Sequence, residues 1–142
     1  MKLFLDANVI FSAAHREHGR AQALIALARA GHCTLVTSAY ALEEARRNLG
    51  LKSKDSGPRL SAALETITLV SEASHSLVTW AREQGLPPKD APILAAAIGA
   101  RADLLVTGDA RDFGKLYDLI LRGTKVSTPA RAIELVLAQA GK

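Results

Sequence analysis

The sequence predicts an α/β fold, a parallel sheet covered on both faces by helices, and three observations carry that prediction. Short aliphatic runs alternate along the chain with helical segments of about ten residues. Runs such as Leu104-Leu105-Val106 are continuously apolar, as strands buried on both faces are. Apolar residues make up 49% of the chain and aromatics only 4%. The core must therefore come from Ala, Leu, Ile and Val, which suits helices on aliphatic strands. At 142 residues, with no repeat and no low-complexity segment, the expectation is one domain over 1–142.

The elements run in order. Leu3-Phe4-Leu5 is the first strand; it halts at Asp6, Asn8 comes two residues later, and Val9-Ile10-Phe11 resumes the apolar pattern. Residues 19–30 carry apolar side chains at helical spacing and stop at Gly31. Residues 33–36 are a second strand, and Ser38 is placed to cap the helix AYALEEARRNL. The polar stretch 51–59, with Gly57-Pro58, reads as a loop before a short helix near 60–65 and a third strand at 67–70. Residues 74–84 are helical and end at Gly85. LPPKD is a break before the helix APILAAAIGARA. DLLVTGD contains the fourth strand, 125–128 is a weaker fifth, and Pro129 opens the last helix. The sheet should thus have about five strands.

Composition narrows the setting. One cysteine, Cys33, excludes an internal disulfide and a zinc knuckle; inside its strand it is expected to be a small buried hydrophobe. No apolar run approaches about 20 residues and the N-terminus lacks a long apolar segment, so neither a membrane span nor export is expected. The expected location is cytoplasmic. The net charge of +4 is compatible with a polyanionic partner.

Chemistry enters with the acids. In open parallel sheets, ligands bind beyond the carboxyl ends of the strands, where the strand order reverses. The first strand ends at Asp6 and the fourth runs into Thr107-Gly108-Asp109. If those strands are neighbours, Asp6 and Asp109 face each other, and two such charges repel unless a cation lies between them. A hard divalent ion with oxygen ligands, Mg²⁺ or Mn²⁺, suits this set better than zinc. Glu44, after the second strand, and Asp90, before the fourth, sit on helices that can reach the same edge.

LFLDANVIFSA, SAYALEEARRNL, KDAPILAAAIGARADLLVTGDARDF and VSTPARAIEL, in that order, resemble the successive blocks of a PIN domain over nearly the whole chain. The resemblance implies a three-layer α/β/α sandwich and, as for many members, a metal-dependent ribonuclease. It places the family's acids on Asp6, Glu44, Asp90 and Asp109, which would hold Mg²⁺ or Mn²⁺ and activate water for in-line attack on a phosphodiester. Products with a 5′-phosphate and a 3′-hydroxyl are implied. Asn8 and Thr107 would support the metal-bound acids, and Asp112 falls where some members carry a further acid. Many small bacterial members are toxins, of the VapC-like type, so a cognate antitoxin and a homodimer are implied as possible partners beside RNA.

Each residue has a plainer reading. Asp6 and Asp109 could be turn residues, and Asp90, two positions before Pro92, could be a helix cap. Glu43 competes with Glu44, but adjacent helical positions point about 100° apart, so Glu43 is expected on the solvated side. Asp103 precedes the fourth strand at the opposite edge and reads as a turn residue. His15 and His18 lack a third ligand and are expected in a connection. His32 and His75 form no constellation, and Trp80 is expected in the core. Arg46, Arg47, Lys52, Lys54 and Arg59, with Arg111 and Lys115 past Asp109, could be solvated charges. If four of the 14 acids are neutralised by metal, however, the 18 basic residues leave a clearly positive surface. That favours a phosphate backbone, with Arg46, Arg47, Arg111 and Lys115 as candidate contacts.

Competing chemistries fail on the letters. A haloacid-type phosphatase needs an aspartate where Asn8 stands, and a receiver domain wants one after the third strand, where ITLVSEAS offers only Glu72. Neither G-x-x-x-x-G-K-[ST] nor G-x-G-x-x-G occurs. The alternative of a different class is a PIN-fold module that binds RNA or protein without cutting.

Overall fold

The computed structural model describes residues 1–50 and 55–141. Strand β1 (Lys2–Leu5) leads into α1 (Ala7–His15), followed by α2 (Arg20–Arg29), β2 (Thr34–Ser38), α3 (Ala39–Leu49), α4 (Ser56–Leu64) and β3 (Ile67–Val70). The chain continues through α5 (His75–Arg82), α6 (Ala91–Gly99), β4 (Leu104–Val106), α7 (Ala110–Phe113) and a 3-10 turn (Gly114–Leu116). Strands β5 (Ile120–Leu121) and β6 (Thr124–Ser127) precede α8 (Pro129–Ala140). The sheet has six strands in the order β3-β2-β1-β4-β6-β5, all pairs parallel except β5 with β6.

Period-two alternation splits the core into two layers. Leu3 and Leu5 of β1, with Leu104 and Val106 of β4, pack under α1, α2, α3, α4 and α8. Phe4 and Leu105 point the other way, against the alanine-rich face of α6 and Phe113. Helix α6 has small side chains that let it lie close to the sheet, with Ala91, Ile93, Leu94, Ala95, Ala96 and Ala97 all buried. The result is helix, sheet, helix. The topology reverses at β1, because β2 lies on one side of it and β4 on the other.

Local detail departs from expectation in the polar loop, in the strand count and at Trp80. Val9-Ile10-Phe11, to which the sequence assigns no element, lies in α1, where Asp6 caps the helix. Gly57-Pro58 lies in the first turn of α4, where a proline has no amide to lose, so part of the expected loop is helix. Lys52 and Lys54 fall outside the described residues. The unexpected antiparallel strand β5 is held by only two residue pairs, too short for a periodicity to register. Cys33 is buried as expected. Trp80 only flanks the core, with the Arg122 guanidinium 4.2 Å above its ring.

Candidate active site

Strand β1 ends at Asp6 because the Asp6 carboxylate opens the next helix. The backbone N–H of Asp6 still donates to Val106 O at 3.0 Å, continuing the ladder with β4. Its backbone is extended (φ −69°, ψ 161°), and Oδ1 accepts the Ala7 N–H at 2.7 Å, starting α1. Oδ2 accepts from Thr107 Oγ1 at 2.9 Å and from Asn8 Nδ2 at 3.1 Å.

Thr107, fully buried one residue past β4, is the hub. While donating to Asp6, its hydroxyl oxygen accepts the Asp109 N–H at 3.1 Å and Asn8 Nδ2 at 3.2 Å. Asn8 Oδ1 in turn accepts the Gly108 N–H at 2.7 Å. A Cβ on Gly108 would stand 3.3 Å from that same Asn8 oxygen, so glycine permits the close approach. Tyr117 closes the far side, its hydroxyl donating to Thr107 O at 2.9 Å. The carboxyl ends of β1 and β4 are thereby fastened by side chains beyond the last ladder bond.

Around this frame lies a cleft of about 350 Å³ lined by Asp6, Asn8, Glu44, Lys89, Asp90 and Asp109, among others. Glu44 is half-buried on α3, while Glu43 is exposed and lines a separate groove with Arg46 and Arg47. Asp90 sits at the N-terminus of α6 but makes no side-chain cap bond. Its buried Oδ2 has no hydrogen-bond partner among the described residues. Asp109 Oδ1 accepts the Asp112 N–H at 3.1 Å. Asp90, Asp109 and Asp112 each offer a carboxylate oxygen within 4.8 Å of the others. The group within 4.8 Å thus contains Asp112, the lesser candidate from the sequence, while Asp6 and Glu44 line the same cleft as Asp90 and Asp109.

The electrostatics reflect crowding. Burial pushes the Asp6 carboxyl up to about 6; the Thr107 and Ala7 hydrogen bonds oppose the rise, and the Glu44 charge adds to it. Burial, then contact with Asp112, pushes Asp90 up to about 7. Asp112 is held below the usual carboxylate range by the same contact and by Lys89. The Lys89 ammonium lies 3.3 Å from Asp112 Oδ2 and 3.9 Å from Asp90 Oδ2. It is the only cation bridging the acids among the described residues. The orphaned Asp90 oxygen and the all-oxygen donor set fit a hard divalent cation, the donor chemistry of Mg²⁺ or Mn²⁺.

Sequence reasoning missed Lys89, whose signal was its place beside Asp90. It also missed Tyr40, which donates from its hydroxyl to Lys89 O at 2.7 Å and ties α3 to the start of α6. Arg46, Arg47, Arg111 and Lys115 are exposed. Arg59 donates to Ala14 O at 2.8 Å, so it serves the end of α1. His15 is the last residue of α1 and stacks on Phe11, with ring centroids 5.2 Å apart. Asp103 accepts the Lys2 backbone N–H at 2.7 Å on the opposite edge.

A family model described as PIN domain matches residues 2–111. Among solved structures, the chain is similar to VapBC2 from Rickettsia felis, which was crystallised bound to a DNA fragment from its promoter. That likeness has 20% identity and a TM-score of 0.65, and covers 90% of this chain and 98% of that one. It is also similar to PAE2754 from Pyrobaculum aerophilum, at 17% identity and a TM-score of 0.66, covering 97% and 90%. FitAcB from Neisseria gonorrhoeae gives 21% identity and a TM-score of 0.62, covering 90% and 98%. At these identities the structures establish the fold. Comparison with curated proteins gave no match.

Proposed function

The chain belongs to the PIN-domain family, and from that premise we propose that it is a metal-dependent ribonuclease, one PIN-like domain acting as the toxin of a toxin–antitoxin pair. The observation that carries the reading is the acid cleft. Carboxylates from distant parts of the chain meet at the β1–β4 edge, and one buried oxygen, Asp90 Oδ2, has no hydrogen-bond partner among the described residues. A binding module for a polyanion has no use for clustered anions facing its ligand.

Asp6, Glu44, Asp90 and Asp109, with Asp112 close by, would hold one or two Mg²⁺ or Mn²⁺ ions. Bound there, the metal supplies an activated water and Lewis-acid polarisation of the scissile phosphate. The protein's own part is positioning. Thr107 and Asn8 donate to Asp6 Oδ2 and so fix which of its lone pairs remain available. Asn8 also holds the Gly108 amide, and with it the turn that presents Asp109. Lys89 restrains Asp112 at the cleft mouth and places positive charge where a phosphodiester must approach several carboxylates. Arg46, Arg47, Arg111 and Lys115 would contact the strand farther out.

The antitoxin reading rests on the family resemblance and on likeness to VapBC2 and FitAcB. No helix among the described residues is long and apolar enough to cross a membrane.

The test is incubation of purified protein with structured and unstructured RNAs in Mn²⁺ and in EDTA, beside Asp6→Asn. Cleavage in Mn²⁺ alone, lost in the variant, is expected. Cleavage that persists in the variant would mark a contaminant. Tight RNA binding with no cleavage across the panel would leave the non-cutting module as the better description.

A further inference from the structure

A second hollow lies beside the acid cleft. Asn8 and Gly108, joined by their 2.7 Å hydrogen bond, line both. The second cavity is larger, about 480 Å³, and its other walls include Ser12, Arg16, His18 and Arg20. Among the described residues, no acid lines it. Four residues of the segment AHREHGR, Arg16, His18, Gly19 and Arg20, thus form one wall of a cavity that abuts the proposed catalytic cleft.

The basic side chains of this wall are uncommitted. Arg16, His18 and Arg20 are exposed, and none forms an ion pair among the described residues. Arg59 and Lys2, by contrast, donate to backbone carbonyls. Helix α2 also begins here, at Gly19 (φ +127°), which has no side chain to cap it. The first amides of α2 therefore add donors and the positive end of a helix to the same wall.

We propose that this cavity binds a backbone phosphate of the RNA strand whose neighbouring linkage lies in the acid cleft, and so sets the register of cutting. The inference rests on the ribonuclease reading. One strand can fill both hollows, because a continuous polyanion supplies a charge for the basic wall and a linkage for the metal cleft. Arg16, Gly19 and Arg20 all line this one cavity, so a phosphate inside it has both arginines and the opening of α2 among its walls.

The experiment is fluorescence anisotropy of a short 5′-labelled single-stranded RNA on Asp6→Asn protein in Mg²⁺, across a salt series. Arg16→Gln/Arg20→Gln is added to that background, and Arg29→Gln/Arg82→Gln serves as a second double variant of equal charge. The first pair should weaken binding about tenfold and make the log–log salt slope shallower by about 0.7, the loss of one phosphate contact on a single strand. The second should change binding less than about twofold. Equal losses in both pairs, or none in the first, overturn the proposal.

Cleavage assays without Asp6→Asn separate the two readings. Protein that cuts RNA, but binds equally well with or without Arg16 and Arg20, keeps the nuclease and loses the phosphate site. Protein that neither binds nor cuts loses both. If the first pair leaves RNA binding intact but abolishes capture of a co-expressed acidic partner, the cavity belongs to a protein ligand and the proposal is wrong.

Discussion

At the amino edge of the sheet, Asp103 is exposed and accepts the Lys2 amide at 2.7 Å, while Lys2 Nζ donates to Ala100 O at 2.9 Å. At the carboxyl edge, Asp6 is 3% exposed and Asp90 5%, and the nearest cation, Lys89, is shared between Asp90 and Asp112. The two edges belong to the same strands. What separates them is the number of acids per donor. At the amino edge a single solvated acid has its own donor. At the carboxyl edge crowded, desolvated carboxylates hold protons at the expense of charge, a condition relieved by a cation and otherwise costly.

The sharpest way to break this contrast is to exchange charge for amide at each edge. Asp90→Asn should reduce metal-dependent cleavage by about 10³-fold while raising the melting temperature of metal-free protein at pH 7.5, because a buried oxygen with no hydrogen-bond partner among the described residues no longer carries charge. Asp103→Asn should do the reverse, with cleavage retained and a stability loss of about 1 kcal/mol from the weakened bond to Lys2. An Asp90→Asn protein that melts lower in EDTA would contradict the strain assigned to the carboxyl edge.

Thr107→Val should come next. It removes the donor to Asp6 and the acceptor for Asp109 while nearly keeping volume, and activity should fall about 10–100-fold, as for other groups that orient metal ligands. Metal titration by calorimetry should show weaker binding in parallel.

Acidity supplies a third measure. Folding raises Asp6 from 3.8 to about 6 and Asp90 from 3.8 to about 7, so in this range the folded state binds more protons than the unfolded one. Their contribution is therefore fully favourable at low pH and is lost as pH rises from about 4 to 7. Asp112, held low, changes charge below that window. For Asp6 alone the rise corresponds to about 3 kcal/mol. Metal-free protein should accordingly melt several degrees lower at pH 7.5 than at pH 5.5, and Mn²⁺ should flatten the difference. A melting temperature that climbs with pH in EDTA would refute it.

The smallest effect is expected at Lys89. Lys89→Met removes the cation that competes for Asp112 and Asp90, and Mn²⁺ affinity should tighten by about fivefold, the scale of one exposed ion pair.

The alternation of aliphatic runs and helices made the five parallel strands readable, because period and burial are written locally. The antiparallel β5 escaped, since two residue pairs leave no pattern. At the site, Asp6 and Asp109 were legible as polar interruptions at strand ends. Glu44 and Asp90 needed the family resemblance, because a glutamate in a helix and an aspartate before a proline have ordinary uses. Asp90 illustrates the limit: its sequence context suggests a cap, yet its side chain makes no cap bond.

The letters alone determined the order of elements and which residue types could hold a divalent cation, for those depend on neighbours along the chain. Tertiary structure decided the rest. The pairing of β1 with β4 brings Thr107 within 2.9 Å of Asp6, the packing of Phe113 with α6 gathers Asp112 toward Asp90, and the fold sets the basic wall of Arg16 and Arg20 beside an acid cleft. Desolvation and charge crowding depend on distances through space, and the chain sets those distances only when the sheet closes.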